Sequence, residues 1–291
     1  MVAMVMREII AIRRRSVSWP MLALWVLGML VVLAWAAPFL WMVSTSLKLP
    51  GEVMTRHIEW IPRHFTWENY DKVLEKPVGR WLTNSLIVAG TATFISLLSG
   101  AMAGYAFARL NFPGRNVLFF FVLATLMIPT EMTIVPLFIG FLRLKLVDNY
   151  AAFILPSIAS VFSVYLFRQF FLSLPREIED AARVDGAGRF RIFFSIALPL
   201  ARPAVIAAAI LLFTTNWNAF LWPLLVAFSE DMKTLPVGMA TFSPTVGGQT
   251  QIQSFGPAMA AMTILTLPSL IVFIVLQRHF IQGVTRTGLK G

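Results

Sequence analysis

The chain has 291 residues, 58% of them hydrophobic and only 13% charged, with a mean hydropathy of +0.75. That much apolar material exceeds what a soluble core of this length needs, so the composition excludes an ordinary soluble globular domain. The net charge of +10 comes with no compact Lys/Arg stripe interleaved with aromatics, which argues against nucleic-acid binding, and the lack of cysteine excludes disulfides, thiolate metal sites and cysteine nucleophiles.

The apolar residues gather into runs of about 20, the length that crosses ~30 Å of hydrocarbon as helix. Six spans are predicted: residues 21–44, 84–107, 116–139, 150–171, 203–225 and 257–280. The first is too long for a signal h-region and runs into PFLWMVSTSLK instead of a small-residue cleavage site, so it is expected to be retained. Arg13, Arg14 and Arg15 precede it, which places the amino terminus in the cytoplasm. Six crossings return the carboxyl terminus to the same side, and the basic connections at Arg109/Arg115 and at 172–202 agree. The chain then divides into a cytoplasmic segment 1–20, a membrane domain 21–280 and a cytoplasmic tail 281–291.

Between the first two spans, in FTWENYDKVL, Thr66 is suited to capping a short interfacial helix that carries Trp67, Tyr70, Val73 and Leu74. Asn84 begins the second span and is a candidate for a solute pathway. Gly100 and Gly104, four residues apart in that span, read as close helix packing. Glu131 follows Pro129 in the third span; a carboxylate there either snorkels to the outer surface or faces a water-filled pathway. In the fifth span Asn216, Trp217 and Asn218 offer two amides and a flat aromatic. These suit a hydroxylated ligand, and equally suit hydrogen bonds between helices. The segment 226–256, which contains FSPTVGGQTQIQSFGP, is expected to be irregular.

The connection between the fourth and fifth spans is polar, with REIEDAARVDGAGRFRIFFSIALPL at 176–200. Its first half predicts a helix over 176–184, ended by Asp185-Gly186 because glycine tolerates the left-handed conformation. A second helix is predicted over 189–197, stopping at Leu198-Pro199. Ile178, Ala181 and Ala182 form a small apolar face on the first helix, while Glu179 and Arg183 have the spacing of an i,i+4 pair. A hairpin lying on lipid would account for the basic side chains. Ala181-Ala182 offer little area to insert but let another backbone approach closely, so docking of a protein partner fits better.

Asp180-Ala181-Ala182, three residues, Gly186, nine residues, then Ile196-Ala197-Leu198-Pro199 resembles the EAA loop of ABC importer permeases, with Asp180 where that family usually has Glu. PFLWMVSTSLK, FTWENY, NSLIVAG, AGYAFARLNFPGR, FRQFFLSLPREIEDAARVDGA and NWNAFLWPLL, in this order, are similar to the six-span carbohydrate permeases of the maltose and glycerol-phosphate type. The resemblance implies an all-α membrane protein of the type I importer class, whose cytoplasmic coupling helices sit in a cleft of a separate ATPase. Glu179, Asp180, Ala181, Ala182, Asp185, Gly186, Ile196, Leu198 and Pro199 would form the coupling element, with Asp180 facing a basic residue of the ATPase and Gly186 making the bend. It further implies a second permease subunit, two ATP-binding cassette subunits, an extracytoplasmic solute-binding protein and a place in the bacterial inner membrane. The tail GVTRTGLKG resembles that of the family.

No G-x-x-x-x-G-K-[ST] is present, so ATP and magnesium are expected on the partner ATPases and no cofactor on this chain. His57, His64 and His279 are scattered, and neither H-E-x-x-H nor G-x-S-x-G occurs, which argues against an intramembrane enzyme. An ion-coupled secondary carrier for a small polar solute is the alternative within transport, although it would favour paired intramembrane charges.

Overall fold

A computed structural model of the chain describes residues 19–53, 59–243 and 255–287, with side chains up to residue 275. Most of segment 1–20, His57, most of FSPTVGGQTQIQSFGP and the end of the tail therefore lie outside the described residues, as does the His279 side chain. The described residues are helical: α1 (Trp19–Ser46), α2 (Glu68–Leu74), α3 (Val78–Arg109), α4 (Arg115–Met127), α5 (Thr130–Arg143), α6 (Tyr150–Ser173), α7 (Glu177–Val184), α8 (Arg189–Leu200), α9 (Arg202–Trp217), α10 (Leu221–Val226) and α11 (Phe255–Thr287).

Four of these are long and apolar enough to cross a membrane unbroken: α1, α3, α6 and the first 21 residues of α11. The apolar window of α1 buries nothing against the rest of the protein. A helix apolar on every face without protein cover is stable only in lipid. The segments predicted as the third and fifth spans are not single rods. The third breaks between α4 and α5, which meet at 98°. Pro129 supplies no amide donor and forces Ile128 into extended backbone (φ −88°, ψ 114°), so the helix ends before it. In the fifth, α9 stops at Trp217, where Asn218 donates its side-chain amide to the Thr214 carbonyl (2.8 Å), and α10 starts afresh at Leu221. A second bend, of 76°, joins α8 to α9. Counting each bent pair as one crossing gives up to six.

The core is organised around α3. Ala92, Ser96, Gly100, Gly104 and Ala108 recur every fourth residue and are all buried. A Cβ at Gly100 would lie 2.2 Å from Ser163 Cβ, and one at Gly104 would lie 2.8 Å from both the Arg168 amide nitrogen and Phe167 Cβ. The small-residue ridge thus lets α3 and α6 approach at backbone distance, and the expected role of the two glycines in packing is met.

The N-terminal end of α3 gathers the loops. Asn84, buried, donates to the carbonyls of Asp231 (2.7 Å) and Lys233 (2.9 Å) and accepts from the Tyr150 hydroxyl (2.7 Å). Trp81 donates its indole N–H to Glu230, and Ser85 accepts the Leu235 amide. Segment 226–243 is consequently ordered, with short helical turns over Glu230–Met232 and Leu235–Met239, not irregular as expected. Gly238 lies flat on Trp81, where a Cβ would fall 2.2 Å from the indole ring. Thr66 accepts the Glu68 amide at 3.2 Å, so α2 begins one residue later than a direct Thr66 cap would place it. Asp148, at φ +56°, receives the Phe228 and Ser229 amides at 2.9 and 3.0 Å and the Ser229 hydroxyl at 3.0 Å.

Candidate functional site

Two features stand apart from simple packing: the polar elbow between α6 and α9, and a cavity between α3, α5, α6 and α9.

The elbow is a helical pair. Helix α7 carries Glu177, Glu179 and Asp180 in its first turn, where carboxylates complement the positive helix end, and Arg183 in its last. Gly186 at φ +80° turns the chain. Helix α8 does not stop at Leu198-Pro199 as expected. It passes through a π-turn at Phe193–Ala197 and continues to Leu200, with the Leu198 amide reaching back five residues to Phe193. The wider turn absorbs Pro199, which has no amide to give the ladder.

The buried face of α7 consists of Glu179 and Ala182; Ile178 and Ala181, expected beside Ala182, are exposed. Glu179 explains the difference. Its carboxylate lies 2.9 Å from Arg109 Nε at the end of α3, and the Tyr105 hydroxyl donates to it at 3.0 Å. Arg109 also donates to the Leu174 carbonyl at 2.6 Å. The anticipated partner Arg183 is present, but at 3.5 Å from Glu179, and it also pairs with Asp180. Sequence reading missed Tyr105 and Arg109. The signal available was an arginine closing an apolar span opposite an acidic loop, but the two groups lie about 70 residues apart in sequence. Asp180, Ala181, Asp185, Gly186 and Pro199 face outward on the elbow, while Ile196 and Leu198 are half-buried.

The cavity has a volume of about 620 Å³. Glu131 and Asn216 line it, with Thr130 and Thr133 of α5, Ser157 and Ser160 of α6, Thr215 of α9, and Phe153, Phe220 and Trp222 as aromatic walls. Glu131 is the one ionisable side chain among its described lining. It occupies the first turn of α5 because the break at Pro129 starts a new helix there, and a helix N-terminus suits a carboxylate. Asn216 is oriented by a hydrogen bond to Thr93 Oγ1 (3.2 Å).

The structure thus brings together two of the five pathway candidates. Asn84 is spent on the loop contacts described above. Trp217 is buried, stacked on Phe213 at 5.7 Å, and donates its indole N–H to Leu265 (3.2 Å). Asn218 caps α9. Trp222 donates to the Ala152 carbonyl (2.8 Å) and lies edge-on to Phe141. No group of His, Asp or Glu able to hold a metal occurs among the described residues.

A helical membrane protein with a largely apolar cavity that carries hydroxyls, one amide and one carboxylate, and with a helical elbow at one end of its central span, suits a transport subunit. Residues 96–286 match the family described as binding-protein-dependent transport system inner membrane component, and the chain belongs to that family. Its relatives include the arabino-oligosaccharides transport system permease protein of Halalkalibacterium halodurans, 42% identical over 87% of this chain and 91% of the relative. The diacetylchitobiose uptake system permease protein of Streptomyces coelicolor is 34% identical over 94% and 88%, and the sn-glycerol-3-phosphate transport system permease protein of Yersinia pestis is 34% identical over 83% and 87%. The fold is shared with a chain of a bacterial ABC transporter involved in import of the acidic polysaccharide alginate (TM-score 0.75, 24% identity, 91% of this chain and 98% of that one). The protein is therefore a multi-pass permease component of a binding-protein-dependent ABC importer, a non-catalytic subunit that works with ATPase and solute-binding partners.

Proposed function

We propose that this chain forms half of the translocation pathway of an importer for a neutral, hydroxyl-rich saccharide, crossing the bacterial inner membrane six times with both termini in the cytoplasm. A second permease subunit completes the pathway, two ATP-binding cassette subunits bind ATP and magnesium, and an extracytoplasmic binding protein delivers the solute. In this reading 172–202 is the coupling loop, with Glu179, Asp180, Ala181, Ala182, Asp185, Gly186, Ile196, Leu198 and Pro199 as its elements, and Glu131 and Asn216 belong to the solute path.

The observation that carries the substrate class is the lining of the cavity. Hydroxyls, an amide and aromatic faces suit a sugar by hydrogen bonding and stacking. The single charged group, Glu131, is an acceptor for sugar hydroxyls and repels anions. A phosphate about 5 Å from it would be opposed by about 3 kcal/mol per unit charge at an effective dielectric constant near 20. A neutral oligosaccharide, of the kind that the names of two of the relatives carry, suits this wall better than a glycerol phosphate.

The test is uptake by the reconstituted transporter. Glu131→Gln is expected to slow uptake of a neutral oligosaccharide by about tenfold, the loss of one charge-assisted hydrogen bond. Gly186→Pro and Asp180→Arg are expected to abolish ATP-driven uptake through the elbow. Uptake that persists after ATP depletion, or that ignores all three substitutions, refutes the proposal.

A further inference from the structure

The contacts of Glu179 extend beyond the elbow itself. Tyr105 and Arg109 stand one turn apart on α3 and both reach the same carboxylate on α7. The Arg109 and Glu179 side chains are 3% and 4% exposed. Arg109 also holds the Leu174 carbonyl at the end of α6, while the Tyr105 ring lies edge-on to Phe171 of α6 (5.4 Å) and tilted on Phe193 of α8 (5.2 Å). One cluster therefore ties the central span to both helices of the elbow and to the end of α6.

The cluster is not an optimised salt bridge. Arg109 Nε and Glu179 Oε1 are 2.9 Å apart yet misaligned for a hydrogen bond, so both atoms are buried without one. A buried ion pair is a poor source of stability, because desolvation offsets the attraction, and a well-packed apolar pair would hold the helices at least as firmly. What a charged pair supplies is a defined geometry that resists separation, since pulling it apart strands two charges.

From this cluster α3 leads directly to the cavity. Gly104 and Gly100 lock α3 to α6 at backbone distance, and Ser96, one turn further, is on the cavity wall and donates to the Ser157 carbonyl of α6 (2.6 Å). Contacts this close are barely compressible, so displacement of one helix is passed to the other.

We propose that Tyr105 and Arg109 are positioning residues of transport: they fasten α7 to α3 so that displacement of the elbow is delivered to the cavity. This rests on the reading of 172–202 as the ATPase-docking loop.

The experiment compares ATP hydrolysis and saccharide uptake in proteoliposomes holding the complete transporter, with binding protein, for Tyr105→Phe and Arg109→Gln. The expected result is continued ATP hydrolysis with uptake per ATP reduced about tenfold in Arg109→Gln and about threefold in Tyr105→Phe. A merely structural role would lower both activities in parallel and leave the ratio unchanged. Should Arg109→Gln fail to assemble, Tyr105→Phe decides, because it keeps the ring against Phe171 and Phe193 and removes one hydroxyl. A ratio within twofold of wild type in Tyr105→Phe overturns the inference while leaving the importer reading intact. Absence of ATP-driven uptake in the wild type refutes the importer reading itself.

Discussion

Adding one methyl group at Gly100 should destabilise the protein even though alanine is the better helix former. The new Cβ would stand 2.2 Å from Ser163 Cβ and 3.1 Å from the Ser163 carbonyl carbon. Carbon pairs prefer about 3.5–4.0 Å, so α3 and α6 must part by about 1.3 Å at this point. A gap of about 0.5–1 Å already forfeits a quarter to a half of the dispersion energy of each contact along the seam. Overpacking of this kind costs about 1–3 kcal/mol, against about 1 kcal/mol gained in helix propensity. The net loss is up to about 2 kcal/mol, a fall in Tm of up to about 4 °C at ~2 °C per kcal/mol. The assay is thermal melting of the detergent-solubilised chain. Gly90→Ala serves as the control, since Gly90 lies on the same helix with nothing within 4 Å of its would-be Cβ. Ser163→Gly removes the closest opposing atom, so Gly100→Ala made in that background should lose less than half as much. An equal loss in both backgrounds, or a Gly100→Ala protein as stable as Gly90→Ala, would refute the close-approach argument.

Asn84→Leu should lower stability by about 2–4 kcal/mol, because the Asp231 and Lys233 carbonyls and the Tyr150 hydroxyl lose their partner together. The same melting assay checks this, and variant protein that survives purification should retain its uptake per ATP, as a residue outside the cavity lining requires. For Asp148, burial pushes the carboxyl up, but the Ser229 amide and hydroxyl and the Phe228 amide together outweigh it and hold it below its ordinary value of 3.8. A folded value below the unfolded one means that its contribution is fully present above 3.8 and is lost as pH falls through the lower folded value. Amide exchange at Phe228 and Ser229, corrected for intrinsic rate, should therefore stay slow from neutral pH down to about 4 and accelerate only below it. Asp148→Ala should show the fast rate throughout.

Much was legible from the order of residues alone. Runs of apolar side chains specify helices in lipid whatever their neighbours, because backbone polar groups there must be satisfied within the segment. Local chemistry likewise located the turn at Gly186, the close approach at Gly100 and Gly104 and the elbow between α6 and α9. Sequence did not reveal that Pro129 and Asn218 interrupt two predicted spans. Proline and asparagine are tolerated inside membrane helices, and whether the chain bends depends on what fills the space beside the break. Nor did it separate Glu131 and Asn216 from Asn84, Trp217 and Asn218, since an amide or indole has the same composition whether it faces a cavity or clamps a loop. The partnership of Glu179 with Tyr105 and Arg109 came only with the tertiary structure. Burial is what makes a carboxylate demand a cation, and burial is a property of the packed helices that no single segment carries.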